Sequence, residues 1–85
     1  MKKGKEMKTS DVENLLYEND VLFDKISKRH DVFTVKRSFF YTHGFSSEKL
    51  ANKIQNLGFR IVDHFDDWNS WPKTSYFVVK FQSKV

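Results

Sequence analysis

The sequence predicts a single small α+β domain with the order α-β-α-β-β, in which a three-stranded mixed sheet carries two helices on one face. Three observations predict it: two segments with apolar residues at helical spacing, three segments that alternate polar and apolar residues, and a length of only 85 residues. A chain of this length forms one hydrophobic core. It contains no cysteine, so we expect neither a disulfide nor a thiolate metal site to hold the fold together.

The first helix is predicted over residues 11–29. Ser10 and Glu13 have the spacing of a capping box, and apolar residues follow at helical intervals. Acidic residues come first in this segment and basic residues last, as the helix dipole favours. Residues 1–9 contain four lysines and one glutamate and are predicted to be a disordered basic tail, so the domain is expected to span residues 10–85.

The rest of the chain is predicted to contain three strands and a second helix. In order, these elements are a strand over 31–43, a helix from the N-cap Ser46 to Gly58, a strand over 59–65, a loop over 66–73 and a strand over 75–83. Phe45 and Leu50 have the spacing of a hydrophobic staple at the start of this helix. A right-handed crossover makes the first two strands parallel, and the last strand returns antiparallel between them, as in the split βαβ half of a ferredoxin-like fold.

Alternation also assigns residues to the two faces of the predicted sheet. The helix-covered face is expected to bury Phe33, Val35, Phe39, Phe59, Ile61, Phe77, Val79 and Phe81, with Phe65 pointing the same way. The opposite, open face is expected to present Lys36, Ser38, Phe40, Thr42, Arg60, Val62, His64, Tyr76, Val78, Lys80 and Gln82. Bases interleaved with rings are typical of surfaces that bind single-stranded nucleic acid. Protein interfaces are also enriched in aromatics and arginine, and many antiparallel sheets expose a half-polar face to water.

Two tryptophans stand in the predicted polar loop. If they are exposed, they are natural anchors for a partner; if they fold back, they cover the edge of the core. Together with the open face, they define the candidate partner-binding residues, which are Trp68, Trp71, Phe40, Arg60, Tyr76, Lys36 and Lys80.

No sequence motif indicates catalysis, a metal or a cofactor. His64 and Asp66 have the chemistry of an acid–base pair, but no nucleophile lies near them in the sequence. The histidines also lack the spacing of metal ligands. We therefore expect a non-enzymatic protein without a cofactor. No apolar run approaches the roughly 18 residues that span a membrane, and no secretory apolar segment follows the basic N-terminus, so a cytoplasmic location is expected.

Four short segments carry a family resemblance that extends over residues 15–82. They are Tyr17–Phe23, Val35–Tyr41, Phe45–Leu50 and Leu57–Val62, and a tryptophan-bearing loop follows them. These features resemble the regulator of ribonuclease activity B family. The resemblance implies a protein that binds ribonuclease E and restrains it without catalysis of its own. Enterobacterial members are strongly acidic, whereas this chain has a formal net charge of +4.

Three functional hypotheses follow from the sequence. The first is a small non-catalytic regulatory protein that binds a protein partner, with a ribonuclease or an RNA-degradation component as the candidate. The alternative is an RNA- or single-strand-binding protein that uses the open face and the basic tail. The third is an immunity protein or a phage-encoded inhibitor, whose usual size the chain matches. A second copy of the chain on the open face is a further candidate partner.

Overall fold

The computed structural model describes residues 7–38, 46–70 and 74–83 of the chain. Its elements are α1 (Thr9–Glu18), β1 (Lys25–Arg29), β2 (Val32–Ser38), α2 (Ser47–Gln55), β3 (Phe59–Ser70) and β4 (Thr74–Ser83). The four strands form one sheet in the order β1-β2-β4-β3, and each neighbouring pair is antiparallel. The domain is therefore α+β, but the predicted three-stranded mixed sheet is wrong: the part of the chain that the structure describes has a fourth strand and no parallel neighbours.

The extra strand comes from the segment that was predicted as the second half of the first helix. α1 ends at Glu18, where the Asn19 side-chain amide donates a hydrogen bond to the Leu15 carbonyl at 2.8 Å. Asp20 has a φ of 60°, a left-handed conformation that does not continue a helix. The apolar residues that follow suit a helix by spacing, but they belong to the turn and to β1. A strand as short as β1 shows too little alternation to outweigh a helical pattern.

The beginning of α1 also differs from the prediction. The helix begins at Thr9, and the backbone N–H of Lys8 donates to the Asp11 carboxylate at 3.0 Å. Met7 packs against the core. Residues 7–9 therefore belong to the fold, although the sequence placed them in the tail.

α2 begins where the sequence predicted. The Ser46 hydroxyl accepts a hydrogen bond from the Lys49 backbone N–H at 3.2 Å, which confirms Ser46 as the N-cap. Gly58, just after the helix, has a φ of 105°, a conformation that glycine adopts without strain. Phe45, the predicted staple residue, lies outside the described residues.

Both helices pack on the same face of the sheet. Their side chains in the core are Val12, Leu16, Leu50, Ala51 and Ile54. Six of the residues predicted for the core are buried: Phe33, Val35, Phe59, Phe77, Val79 and Phe81. Ile61 is partly buried beside them, and Phe39 lies outside the described residues. The Phe81 ring stacks on Phe33 with centroids 5.6 Å apart and meets Phe59 edge-on at 4.9 Å, so aromatic contacts join three strands.

β3 is longer than the sequence predicted. It continues to Ser70, so the predicted loop over 66–73 is wrong for residues 66–70, and residues 71–73 lie outside the described part of the chain. Pairing with β4 holds this segment extended despite its aspartate and asparagine, which have low strand propensity. Among the described residues, no helix has the length and apolar composition required to cross a membrane.

Candidate functional site

The face of the sheet opposite the helices is built from alternate residues of all four strands. Directly paired residues of neighbouring strands point to the same side of a sheet, so the strand register assigns the members of this open face. Each row across the sheet contains one residue from β1, β2, β4 and β3, in that order. The rows are Arg29-Val32-Gln82-Arg60, Ser27-Thr34-Lys80-Asp63 and Lys25-Lys36-Val78-Phe65. A shorter row, Ser38-Tyr76-Asp67, comes from β2, β4 and β3. The face combines charged side chains with aromatic rings.

The structure places four of the seven candidate residues on this face: Lys36, Tyr76, Lys80 and Arg60. Trp68 lies within β3, so it belongs to the sheet and not to a polar loop as the sequence predicted. Phe40 and Trp71 lie outside the described residues. The candidate basic residues and Tyr76 therefore share one surface.

Lys25 and Lys36 stand directly opposite each other on β1 and β2, and Tyr76 of β4 lies beside them. The Nζ atom of Lys25 is 5.4 Å from the centroid of the Tyr76 ring, and the Nζ atom of Lys36 is 5.9 Å from it. We call these three residues the lysine–tyrosine cluster. Like charges directly opposite each other destabilise a sheet, and the electron-rich ring face offsets part of that repulsion. The cluster is therefore a place where an anionic group would be stabilised.

Sequence reasoning missed Lys25, because it placed this residue on a helix. A weak sign of the strand is present before His30 and Asp31. Lys25, Ile26 and Ser27 alternate before this polar pair, and a clear strand pattern follows it. Four polar residues, Lys28 to Asp31, separate the two runs, so the two-residue spacing that indicates a hairpin is not visible in the sequence, and His-Asp is not a favoured hairpin dipeptide.

The other half of the open face has a different charge arrangement. Lys80 stands opposite Asp63 on β3, and opposite charges in this position stabilise neighbouring strands. Asp67 of β3 stands opposite Tyr76. Neither Lys25 nor Lys36 has an acidic cross-strand partner in the described ladders, although the Asp24 carboxylate lies nearby, where it accepts a hydrogen bond from the Ser38 backbone N–H. β3 supplies two carboxylates to this face together with one base, Arg60.

A single extra residue in β3 changes which side chains reach the open face. Val62 has no partner on β4, while its two chain neighbours pair with consecutive β4 residues; this is a β-bulge. Beyond the bulge the alternation is reversed, so His64 lies on the helix side and Phe65 on the open face. The sequence predictions for both residues are wrong for this reason. Phe65 is 40% exposed and adds a second ring to the open face.

On the helix side, His64 and Asp66 meet the start of α2. The His64 Nδ1 atom is 3.1 Å from the Ser47 hydroxyl, and the Asp66 carboxylate accepts a hydrogen bond from the Ser47 backbone N–H at 3.1 Å. In a catalytic triad the carboxylate orients the histidine ring, but here Asp66 binds a backbone amide and Ser47 is buried. A carboxylate at a helix N-terminus is favourable. We therefore interpret these bonds as an anchor between α2 and β3.

The two histidines within the described residues, His30 and His64, lie in different parts of the fold. His30 lies in the hairpin loop between β1 and β2, His64 lies at the start of α2, and His43 is outside the described residues. Across residues 7–38, 46–70 and 74–83, no group of three or more His, Cys, Asp or Glu side chains is arranged to hold a metal ion.

Fold and site together define a small α+β domain with one sheet face covered by helices and an opposite face that carries aromatic rings and charges of both signs. Comparisons of the chain with protein families, with curated proteins and with solved structures found no match. The resemblance to the regulator of ribonuclease activity B family therefore stays a prediction that rests on short segments.

Proposed function

We propose that this chain is a small non-catalytic regulatory protein that binds a protein partner through its open face, with an acidic patch of the partner on the lysine–tyrosine cluster. The observation that carries the proposal is the placement of Lys25 directly opposite Lys36, with the Tyr76 ring beside both ammonium groups. A carboxylate of the partner between the two lysines replaces repulsion with attraction and steers association. Tyrosine is also among the residues that contribute most to protein interfaces.

The presence of carboxylates among the bases of this face favours a protein partner over a nucleic acid. A nucleic-acid strand is bound along a continuous basic groove. A strand that crosses this face from β2 to β3 meets Asp63 and Asp67, which repel phosphates. A folded partner can present acidic groups to one half of the face and basic groups to the other. Single-stranded RNA or DNA is the alternative, favoured by the bases and rings on β2 and β4.

The hydrogen bonds of Ser47 support a non-catalytic role, because its contacts with His64 and Asp66 hold the start of α2 against β3. The family resemblance makes a ribonuclease or another RNA-degradation component the first partner to test. An immunity protein or phage-encoded inhibitor would act in the same way, by covering a nuclease. The proposed location is the cytoplasm, since a chain without cysteine needs no oxidising compartment.

The test compares two double charge reversals that change the net charge equally. Lys25→Glu/Lys36→Glu reverses the cluster, and Lys49→Glu/Lys53→Glu reverses two exposed bases of α2, on the other side of the sheet. Cleavage of RNA by purified ribonuclease E is measured with each variant, and proteins captured from nuclease-treated lysate are compared in parallel. We expect the cluster variant to lose inhibition or capture by about tenfold or more, and the matched variant to retain most of it.

Other results would contradict this proposal. Equal losses in the two variants would indicate a response to net charge alone. High affinity for a single-stranded oligonucleotide that falls steeply with salt, without any protein captured in a cluster-dependent way, would support the nucleic-acid alternative. A stable dimer that the cluster variant dissociates would identify a second copy of the chain as the partner.

A further inference from the structure

β1 is an edge strand of the sheet, and its outer side carries backbone groups that β2 does not use. The sheet order places β2 on one side of β1 and no described strand on the other. Arg29 and Val32 flank the two-residue hairpin loop and so form a hydrogen-bonded pair. Hydrogen bonding alternates along an antiparallel ladder, so the N–H and C=O groups of Ile26 and Lys28 point outwards. These are the groups that an added strand would bond.

A groove runs beside the first half of this edge. It has a volume of about 500 Å³ and is formed by α1, the turn after it, β1 and β2, with Tyr17, Phe23 and Ile26 among its lining residues. The rings of Tyr17 and Phe23 stack with centroids 5.2 Å apart, and Tyr17 is 57% exposed. An apolar or aromatic side chain inserted beside these rings would bury exposed apolar surface. Lys25 and Lys36 of the lysine–tyrosine cluster line the same groove, as do Glu13 and Asp24. The Asp24 carboxylate already accepts a hydrogen bond from the Ser38 backbone N–H.

The basic residues of β1 favour an acidic strand over a second copy of the chain as the partner at this edge. Three of the five residues of β1 are basic, namely Lys25, Lys28 and Arg29. A second copy that pairs antiparallel about Ser27, the register that uses all of β1, would put Lys25 opposite Arg29 of that copy, and like charges opposite each other are unfavourable. Basic residues on an edge strand commonly prevent such self-pairing. An acidic strand meets opposite charge at the same positions.

We infer that an extended acidic segment of a partner protein adds to β1 as a fifth, antiparallel strand, with one aromatic side chain in the groove beside Tyr17 and Phe23. The inference rests on the proposed function, because it specifies how the partner reaches the lysine–tyrosine cluster. Backbone hydrogen bonds to Ile26 and Lys28 supply the geometry, as in other cases of strand addition. Carboxylates opposite the exposed Lys25 and Arg29 select the sequence of the segment. The Lys28 ammonium group donates a hydrogen bond to the Met7 carbonyl at 3.0 Å and so contributes less to this selection.

The test uses the whole chain and a capped synthetic peptide, Thr-Asp-Glu-Thr-Phe-Glu-Thr, whose residues match the charges along β1 in antiparallel register. A control peptide carries lysine at each acidic position. A second control keeps the parent sequence but is N-methylated at the first Glu and at Phe, the two residues opposite Lys28 and Ile26. Binding is followed by NMR titration and by hydrogen exchange of individual backbone amides.

We expect the parent peptide to bind and to slow exchange of the Ile26 and Lys28 amides selectively, because these are the outward-pointing donors. The lysine peptide should not bind. Each N-methyl group should weaken binding about fivefold, since each removes one backbone hydrogen bond. Lys28→Pro should weaken binding relative to Lys28→Ala by a similar factor, because both variants lose the ammonium group and only proline lacks the N–H.

The possible failures are distinguishable. Equal binding of the parent and N-methylated peptides, or protection away from β1, would overturn strand addition while the proposed acidic partner on the open face remains. Binding of the lysine peptide would overturn the acidic character of the segment. No binding of the parent peptide, together with partner capture that depends on Lys25 and Lys36, would likewise overturn only this inference. A dimer of the free chain that Lys28→Pro dissociates would assign the edge to a second copy.

Discussion

The two hairpins of the sheet differ in how strictly they follow the alternation of a strand. The β1–β2 hairpin keeps an unbroken register around its two-residue loop. The β3–β4 hairpin shifts register after Ile61 and again after Asp67. The regular hairpin holds two lysines opposite each other, while the irregular hairpin places Lys80 opposite Asp63. The proposed binding charge therefore lies on the regular half of the sheet, whereas the bulged half places opposite charges next to each other.

The largest expected effect concerns two valines that the sequence assigns to the same open face. Val78 of β4 is 1% exposed, whereas Val62 at the bulge is 50% exposed. We expect Val78→Ala to lower the free energy of unfolding by about 2 kcal/mol, because it removes two buried methyl groups and leaves a cavity. Val62→Ala should change it by less than about 0.5 kcal/mol. Urea unfolding of both variants checks this, and similar losses in both would contradict the described register of β3.

A smaller effect is expected at two positions of positive φ, one in the loop of the β1–β2 hairpin and one just before the β3–β4 hairpin. His30, in the β1–β2 loop, has a φ of 58°, and Gly58, just before β3, has a φ of 105°. His30→Gly should raise the free energy of unfolding by about 1 kcal/mol and Gly58→Ala should lower it by about as much, since side chains with a Cβ atom are strained at positive φ. The space around Gly58 is open, so its effect reports backbone strain alone. Thermal unfolding measures both, and changes of the same sign would disprove the explanation.

The smallest expected effect comes from reversing the charge of one lysine in each hairpin. The sign of the resulting change in stability tests the charge comparison directly. Lys25→Glu turns a like-charged pair with Lys36 into an opposite pair, and Lys80→Glu does the reverse with Asp63. We expect the first variant to be stabilised and the second destabilised, each by about 0.5 kcal/mol. Both changes should shrink at high salt, because exposed charges are screened. Urea unfolding at low and high salt decides the question, and destabilisation of both variants would remove the distinction between the two halves.

The sequence was sufficient for the elements with strong local signals. Ser46 as N-cap, the buried stripe of α2 and the apolar face of β2 and β4 all follow from residue types at regular spacing. The prediction failed where two patterns competed. Ile26 and its apolar neighbours fit a helix by spacing, and only the left-handed backbone at Asp20 and the pairing with β2 select the strand.

The candidate site was predictable only in part, for the same reason. Lys36, Tyr76 and Lys80 lie on regular strands, so alternation alone placed them on the open face. Lys25 was missed with its strand. His64 and Phe65 were exchanged because a bulge is fixed by pairing with another strand, and no residue type near Val62 indicates it. Long-range pairing is therefore the information that local patterns lack.

The position of β4 has a consequence for how this chain acquires its structure. β4 lies between β2 and β3, and the Gln82 side chain donates a hydrogen bond to Asp31 at 3.0 Å, across 51 positions of the chain. Synthesis runs from the N-terminus, so this inner strand is made after every other described element. Until it arrives, β2 and β3 have no common neighbour, and Phe33 and Phe59 lack the ring of Phe81 that joins them.

Folding of the sheet therefore waits for the last described strand, and the nascent chain exposes its apolar side chains in the meantime. Distant pairings of this kind slow folding and favour aggregation of partly made chains. A ribosome-bound chain that stops at Ser70 should remain open to protease, and protection should appear in a single step once β4 has emerged. The four-stranded sheet can thus form only after β4 has been synthesised.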